Sequence, residues 1–244
     1  MSRPVPRAGR PGPVREVRAS LAAVTSPGQP DPRQRRLVVT DVDSTLITGE
    51  VIEMLAAHAG SLDRVAAITD RAMRGEIDFR RSLVERVATL AGLPVGVLQE
   101  VGREVELTPG ADRLVAALHA AGWPVGLVSG GFTEIVEPLA RRLGIRFVRA
   151  NRLEVADGRL TGRVSGPVVD AEAKAAALRE FAAAEDVPLD RTVAIGDGAN
   201  DLLMLRAAGL GIAYNAKPVV RAQADVAVLG QPLDAVLELL GLEA

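Results

Sequence analysis

Short apolar runs alternate with longer amphipathic stretches along most of the chain. The run at 37–40 is Leu-Val-Val-Thr and ends at acidic residues, which is typical of a strand buried in a parallel sheet. Four later runs share this character, at 125–128, 193–195, 211–213 and 226–228. Stretches with helical spacing lie between or beside these runs, at 111–121, 133–143, 171–184 and 201–208. The alternation predicts an α/β fold, a doubly wound parallel sheet with helices on both faces.

The segment 50–107 breaks this alternation, because it contains no convincing strand. Its apolar residues keep helical spacing throughout. Ser61 and Asp78 are candidate N-caps, and Gly75 and Gly92 are candidate helix ends. We therefore expect a cap of four helices, inserted after the first strand and lying over the carboxyl ends of the strands.

Two local features modify the simple pattern. The runs 152–155 and 159–164 flank Ala156-Asp157-Gly158, and Asp-Gly is a strong signal for a small β-hairpin. Pro138 lies inside the helical stretch 133–143. A proline at such a position costs about 3 kcal/mol, so we expect this helix to kink or to start late.

The first 36 residues differ in composition from the rest of the chain. They hold seven of the 15 prolines, and eight arginines against two acidic residues. A segment of this kind buries too little apolar surface to offset its ordering entropy. We expect a disordered tail at 1–36, with a basic tether for an anionic partner as the alternative. The remaining chain would divide into an α/β core, 37–49 and 108–244, and the helical cap, 50–107.

Composition narrows the possible functions. The 244 residues include no cysteine and only two histidines, so thiol catalysis and multi-histidine zinc sites are excluded. Any metal must be a hard cation held by oxygen atoms. A net charge of −2 and six aromatic residues give no footprint for nucleic acid. With no apolar run near 18 residues and no visible secretory signal, we expect a cytoplasmic protein without a membrane partner.

The first predicted strand ends in two carboxylates. Asp41 and Asp43 are two residues apart, so in an extended chain their side chains point the same way. Like charges this close require a cation or a shifted pKa. A solvated acidic turn is the alternative, whereas a calcium loop is excluded because Leu46 stands where the loop requires Gly and Ile52 where it requires Glu.

Polar residues also follow two later strands and occupy one helix. Ser129-Gly130-Gly131 offers a hydroxyl and two glycines that let backbone N–H groups approach an anion. Lys174 is one of only two lysines against 27 arginines, which indicates a point charge for phosphate. The run 196–201 is Gly-Asp-Gly-Ala-Asn-Asp, in which Asp197 and Asp201 are candidates to complete an all-oxygen magnesium site. Each feature alone also fits a structural turn or a solvated helix face.

Nucleotide-binding motifs are absent from the sequence. No Gly-x-x-x-x-Gly-Lys-Ser/Thr occurs, and no Gly-x-Gly-x-x-Gly follows the first strand. The remaining groups are a nucleophilic carboxylate, a second carboxylate, phosphate donors and a hard metal. These are the groups that phosphoryl transfer through an aspartyl-phosphate requires.

Taken in order, these motifs resemble the haloacid-dehalogenase (HAD-like) superfamily of phosphatases. The likeness covers the chain from Leu37 onwards, and the cap narrows it to the phosphoserine phosphatase branch. That branch holds its substrate with residues that match Glu50, Met73, Phe79 and Arg86. The resemblance implies a Rossmann-like core and a magnesium-dependent hydrolysis of O-phospho-L-serine, the last step of serine biosynthesis.

The resemblance also implies catalytic roles. Asp41 would attack phosphorus, and Asp43 would act as general acid and then as general base. Mg²⁺ would be bound by Asp41, the Asp43 backbone carbonyl and Asp197. Asp201 would orient Lys174 or a water on the metal.

The implied substrate contacts divide between core and cap. The transferring oxygens would be held by core residues, namely Ser129, Gly130, Lys174 and Asn200. In the cap, Glu50 would accept the substrate ammonium and Arg86 would bind the carboxylate, with Phe79 and Met73 beside them. The alternative for Glu50 and Arg86 is a solvated charge on a helix, and the alternative for Phe79 and Met73 is a place in the core of the cap.

Three other functions stay open at this point. The first is a phosphatase or phosphotransferase for another small phosphomonoester such as phosphohomoserine, because one extra methylene discriminates between substrates by only about 1–3 kcal/mol. A phospho-accepting receiver and a catalytically inactive binding protein are the other two. The sequence leaves both a monomer and a homodimer possible.

Overall fold

The computed structural model describes residues 15–17 and 35–243. These residues form a sheet of eight strands, namely β1 Arg15–Val17, β2 Leu37–Thr40, β3 Val125–Phe132, β4 Phe147–Ala156, β5 Arg159–Ser165, β6 Thr192–Gly196, β7 Leu210–Tyr214 and β8 Val226–Val228. The strand order is β1-β8-β7-β6-β2-β3-β4-β5. All neighbouring strands are parallel except the hairpin pair β4 and β5.

The described residues also form ten α-helices. They are α1 Val51–His58, α2 Leu62–Met73, α3 Phe79–Ala88, α4 Val97–Glu104, α5 Ala111–Ala120, α6 Thr133–Arg142, α7 Ala171–Ala184, α8 Leu202–Ala207, α9 Pro218–Arg221 and α10 Val236–Leu240. The first four form the cap between β2 and α5. Across the described part of the chain, none of the helices combines the length and apolarity that a membrane crossing requires.

The central strand β2 is buried on both faces. It lies between β3 and β6, with Thr40 opposite Leu127 of β3 and Ile195 of β6. Successive side chains of a strand point to opposite faces of the sheet. Val38 therefore packs in one hydrophobic core with α5, and Leu37 packs in a second core with α7. Two cores on two faces explain why this run carries no polar residue before Thr40.

The predicted fold class is confirmed, with a parallel sheet, a four-helix cap and a small hairpin. Each predicted strand is present, and most are one or more residues longer than the apolar run that indicated them. The hairpin turns at Asp157, whose φ is +50°. The division of the chain at 49/50 and at 107/108 stays a prediction.

The structure differs from the expected disordered tail at two places within 1–36. β1 pairs in parallel with β8, with Arg15 opposite Val226. Arg35 forms an ion pair with the buried Glu185, and the guanidinium of Arg36 lies 5.7 Å from the ring centre of Trp123. These pairings order short stretches that composition alone predicts to be unstructured. The rest of the predicted tail lies outside the described residues.

Helix boundaries follow the sequence signals in part. Asp78 caps α3, because its carboxylate accepts a hydrogen bond of 2.7 Å from the Arg81 N–H. Ser61 makes no such bond, and its hydroxyl instead donates to Thr89 at 3.1 Å. The helix with Pro138 does not start late, since α6 begins at Thr133 and continues past the proline.

Candidate active site

Three neighbouring strands deliver the polar residues to one place. Asp41 directly follows β2, Ser129 lies in β3, and Asp197 directly follows β6. Because β3 and β6 flank β2 in parallel, their carboxyl-terminal halves lie side by side beneath the cap. The sheet topology thus brings together residues that are up to 156 positions apart in the sequence.

A cavity of about 830 Å³ lies between the core and the cap. Most of the predicted site residues line it, namely Asp41, Asp43, Glu50, Met73, Phe79, Arg86, Gly130, Asp197 and Asn200. Ser129, Lys174 and Asp201 do not line the cavity, and each is fully buried. The volume is in the range of cavities that bind small molecules.

Lys174 lies between two carboxylates. Its ammonium donates to Asp41 Oδ1 and, over 2.6 Å, to Asp201 Oδ1. Burial alone would lower the pKa of Lys174, but the carboxylates of Asp201 and Asp41 raise it above its ordinary value. Burial raises the pKa of Asp41, and the Lys174 ammonium opposes that shift. The pairing keeps a positive charge next to Asp41.

Asp43 is fixed by two neutral donors. Its Oδ1 accepts from the Val51 N–H at 2.8 Å, and its Oδ2 accepts from the Ser129 hydroxyl at 2.9 Å. Burial raises the pKa of Asp43, while these two hydrogen bonds act in the opposite direction. A carboxyl group that is rigidly held and has a raised pKa is suited to proton transfer. The Ser129 hydroxyl is thereby directed to Asp43 rather than into the cavity.

The donor set fits a hard divalent cation. Carboxylate oxygens of Asp41, Asp197 and Asp201 lie within 4.8 Å of one another. Burial and then the charge of Asp201 raise the pKa of Asp197 to about 6, and the Thr45 hydroxyl donates to it at 3.1 Å. Buried carboxylates this close are stabilised by a cation, and oxygen donors favour a hard one.

Asp201 has a different environment from the other two carboxylates. Its Oδ1 accepts from Lys174, and its Oδ2 accepts from the Gly198 N–H at 2.9 Å. Both oxygens are therefore already occupied by protein donors. This arrangement suits the role of orienting Lys174 better than that of a metal ligand.

The cap contributes one charge of each sign. Glu50 accepts from the Ser44 hydroxyl at 2.7 Å, and burial together with Asp43 raises the pKa of Glu50 to about 7. Arg86 is half-buried, its Nε lies 3.4 Å from the Ser82 carbonyl, and burial lowers its pKa. Among the described residues, neither Glu50 nor Arg86 forms an ion pair. Both charges line the cavity and are available to a ligand.

The glycines after Ser129 allow close approach. A Cβ at Gly131 would lie 2.7 Å from Asp43 Oδ2, and a Cβ at Gly130 would lie 3.1 Å from the Phe79 ring. The Asn200 amide nitrogen lies 3.8 Å from that same Gly130 position. Gly130, Phe79 and Asn200 therefore surround one part of the cavity, where side-chain atoms at position 130 would intrude.

Sequence reasoning missed several residues of the site. Ser44 and Thr45 are part of the first motif, and their hydroxyls hold Glu50 and Asp197. Lys217 lines the mouth of the cavity, 3.6 Å from the sulfur of the exposed Met73. Lys217 is one of only two lysines in the chain, and this rarity could have marked it as a candidate site residue.

Comparisons with known proteins agree with this geometry. The family model described as haloacid dehalogenase-like hydrolase matches residues 38–206. A phosphoserine phosphatase of Mycobacterium tuberculosis is 59% identical over 210 residues, which are 86% of this chain and 51% of that protein. One of Streptococcus thermophilus is 52% identical over 204 residues, which are 84% of this chain and 95% of that protein.

A solved structure, described as a phospho-aspartyl intermediate analogue of phosphoserine phosphatase, matches with a TM-score of 0.79. It is 39% identical, and the match covers 84% of this chain and 98% of that one. The chain spans about half the length of the mycobacterial relative and nearly all of the streptococcal one. The chain therefore belongs to the haloacid dehalogenase-like hydrolases, in the phosphoserine phosphatase family.

Proposed function

We propose that this chain is a magnesium-dependent phosphatase that hydrolyses O-phospho-L-serine to L-serine and phosphate, the last step of serine biosynthesis. The observation that carries the proposal is that Glu50 and Arg86, which have no ion-pair partner among the described residues, lie in one cavity with Asp41 and Asp43. Phosphoserine has an ammonium for Glu50, a carboxylate for Arg86 and a phosphoryl group for Asp41. The names of its relatives support the same substrate.

In the first half of the reaction, an Asp41 carboxylate oxygen attacks phosphorus. The bond between phosphorus and the serine oxygen breaks as the aspartyl-phosphate bond forms, and Asp43 gives its proton to the departing oxygen. The raised pKa of Asp43 favours the protonated form that this step needs. Serine then leaves as the alcohol.

In the second half, Asp43 takes a proton from a water molecule. The water oxygen attacks phosphorus, the bond to Asp41 breaks, and phosphate leaves with the Asp41 carboxylate restored. The hydrogen bonds from Val51 and Ser129 hold Asp43 in the same position for both steps.

Charge at the phosphoryl group is balanced by several residues. Asp41, Asp197 and the Asp43 backbone carbonyl would hold Mg²⁺, which when bound offsets repulsion between the nucleophile and the phosphate dianion. Lys174, which Asp201 orients, adds a second positive charge beside Asp41. The Gly130 N–H and the Asn200 amide would bind the remaining phosphoryl oxygens. The Ser129 hydroxyl contributes through Asp43.

Phosphate release from a panel of phosphomonoesters tests the proposal. The panel contains phosphoserine, phosphohomoserine and p-nitrophenyl phosphate, each with Mg²⁺ and after exhaustive chelation. We expect the highest kcat/KM for phosphoserine, with phosphohomoserine lower by about 10- to 200-fold, because one methylene is worth about 1–3 kcal/mol. The isosteric variant Asp41→Asn serves as the control and should be inactive.

Three results would contradict this proposal. Equal or faster turnover of phosphohomoserine would assign the site to a different small phosphomonoester. Full activity after chelation would exclude the metal, and full activity with Ca²⁺ in place of Mg²⁺ would contradict its assignment, because the looser calcium shell should inhibit. The monomer or homodimer state, the cytoplasmic location and the lack of a nucleic-acid partner stay predictions.

A further inference from the structure

Asn151 is a fully buried polar residue next to the site that does not line the cavity. It lies in β4, and both ends of its amide are satisfied by backbone groups. Its Nδ2 donates to the Gly130 carbonyl at 2.8 Å, and its Oδ1 accepts from the Val169 N–H, also at 2.8 Å. One side chain thus connects two segments of the active site.

The first of these bonds compensates for an irregularity in the sheet. The pairing between β3 and β4 shifts between Val128 and Phe132, and Gly130 lies within that shift. A buried carbonyl that leaves the ladder needs another donor. Asn151 supplies that donor.

The same bond reaches Asp43 through a chain of hydrogen bonds. The peptide whose carbonyl belongs to Gly130 carries the Gly131 N–H, which donates to Ser129 Oγ at 2.7 Å. Ser129 Oγ donates in turn to Asp43 Oδ2 at 2.9 Å. Hydrogen bonds linked in this way polarise and restrain one another. Asn151 therefore fixes the peptide plane that supports Asp43.

The second bond reaches Lys174. Val169 precedes Asp170, whose carboxylate caps α7 by accepting from the Ala173 N–H at 3.1 Å. Lys174 lies in the first turn of this helix, and its own N–H donates to the Asp170 carbonyl at 2.9 Å. The position of Val169 thus sets where α7 starts and where the Lys174 ammonium lies.

We propose that Asn151 is a positioning residue for phosphoryl transfer, because it couples the Gly130 peptide behind Asp43 to the start of the helix that carries Lys174. This inference rests on the proposed function. It predicts a defect at the phosphoryl group, common to all substrates, with recognition by Glu50 and Arg86 intact.

Two variants of Asn151 and one matched control test this role. Asn151→Leu keeps the shape and removes both bonds, and Asn151→Ser leaves room for a water that satisfies the two backbone groups. The control is Thr192→Val. Thr192 is equally buried, donates to the Leu189 carbonyl at 2.7 Å and accepts from the Gly209 N–H at 3.3 Å. It lies at the start of β6, opposite the end that leads to Asp197.

The measurements are thermal unfolding, kcat and KM for phosphoserine and p-nitrophenyl phosphate, and calorimetric binding of inorganic phosphate with Mg²⁺. We expect Asn151→Leu and Thr192→Val both to lower the melting temperature. Only the Asn151 variants should lose kcat, by about 10- to 100-fold on both substrates, as partners of catalytic groups typically do. Their affinity for phosphate should fall by about tenfold, and the KM for phosphoserine should rise by no more than that factor, because the contacts of Glu50 and Arg86 are unchanged.

A folded Asn151→Ser protein with kcat and phosphate affinity within about twofold of Thr192→Val would overturn the inference. If Asn151→Leu does not fold, the Ser variant alone decides the question. Phosphate binding keeps this test separate from the proposed function. If the wild-type protein does not hydrolyse phosphoserine, the proposed function is refuted. If the Asn151→Ser variant nevertheless binds phosphate more weakly than the wild type, the positioning role is still supported.

Discussion

At the residue scale, Asp41 and Asp43 differ through their partners. Burial raises the pKa of Asp41 well above its ordinary value, and the Lys174 ammonium opposes that shift in favour of the ionised, nucleophilic form. Asp43 faces neutral donors, so burial keeps its pKa raised and suits it to proton transfer. Two carboxylates in different environments can thus take different roles. Their spacing predicts the pair, but the partners come from distant positions and only the structure shows them.

Substitution of Arg86 tests whether this side chain binds the substrate carboxylate. Charged hydrogen bonds contribute about 1.5–3 kcal/mol, so Arg86→Ala should lower kcat/KM for phosphoserine by about 10- to 200-fold. Activity on p-nitrophenyl phosphate should change little, because it lacks a carboxylate. Arg86→Lys should restore only part of the loss, because lysine keeps the positive charge but lacks the planar guanidinium fork.

The matched control for Arg86 is Arg81→Ala on the same helix. The Arg81 side chain is 64% exposed and pairs with Glu85, away from the cavity. Arg81→Ala should leave the activities on phosphoserine and on p-nitrophenyl phosphate unchanged. Equal losses on both substrates for Arg86→Ala would make Arg86 a structural residue of the cap.

The raised pKa of Glu50 makes the stability of the protein depend on pH. Its pKa is about 7 in the folded chain against an ordinary 4.5, so between these values the folded state binds more protons than the unfolded state. Glu50 therefore lowers the stability of the metal-free protein as the pH rises from about 4.5 to about 7. Glu50→Gln should raise the melting temperature at pH 8 and much less at pH 5.

Thermal denaturation in EDTA at the two pH values measures this effect of Glu50. Glu85→Gln is the control, because hydrogen bonds from Arg81 and Arg71 lower the pKa of Glu85, so the loss of this carboxylate should not stabilise the protein. A Glu50→Gln protein with the same change in melting temperature at both pH values would contradict the account.

At the element scale, the buried strands and the hairpin could be predicted, whereas β1 and the first half of β4 could not. β2 is apolar on both faces and ends at acidic residues, which is a pattern that few other elements share. β4 is only partly buried and carries Arg149 and Arg152, so its apolar signal is weak. β1 lies in a segment rich in proline and arginine, where composition favours no strand. The cap helices were predictable because 50–107 lacks period-two alternation.

Deletion of residues 1–34 tests what β1 contributes. β1 is the part of this segment that the structure describes, and β8, β7 and β6 separate it from β2 and Asp41. We expect kcat/KM for phosphoserine to stay within about twofold of the full chain, with a small decrease in melting temperature. Steady-state kinetics and thermal unfolding provide the check. A loss of more than about tenfold would show that this edge of the sheet supports the site.

At the scale of the whole molecule, the core and the cap together form the cavity. In the proposed mechanism the core supplies the nucleophile, the metal ligands and Lys174, whereas the cap supplies Glu50 and Arg86 for the amino-acid part of the substrate. Arg80 of the cap bonds to Asp170 of the core at 3.0 Å, close to the start of α7. The sequence predicts the convergence, since parallel strands share one carboxyl edge. It does not predict connections such as that of Asn151, which depend on distances between separate elements.

The central claim is that Asp41 accepts the phosphoryl group and that Asp43 transfers the protons. Asp43→Asn with p-nitrophenyl phosphate tests it most directly, because this leaving group needs no proton but the later attack by water still needs a base. The measurement is a rapid-mixing assay of p-nitrophenol, followed by mass spectrometry of the quenched protein. We predict a burst of one p-nitrophenol per site, a stall, and one phosphoryl group on the peptide that contains Asp41. The double variant with Asp41→Asn should show neither. Steady turnover without a burst, or a phosphoryl group on any other residue, would contradict the account.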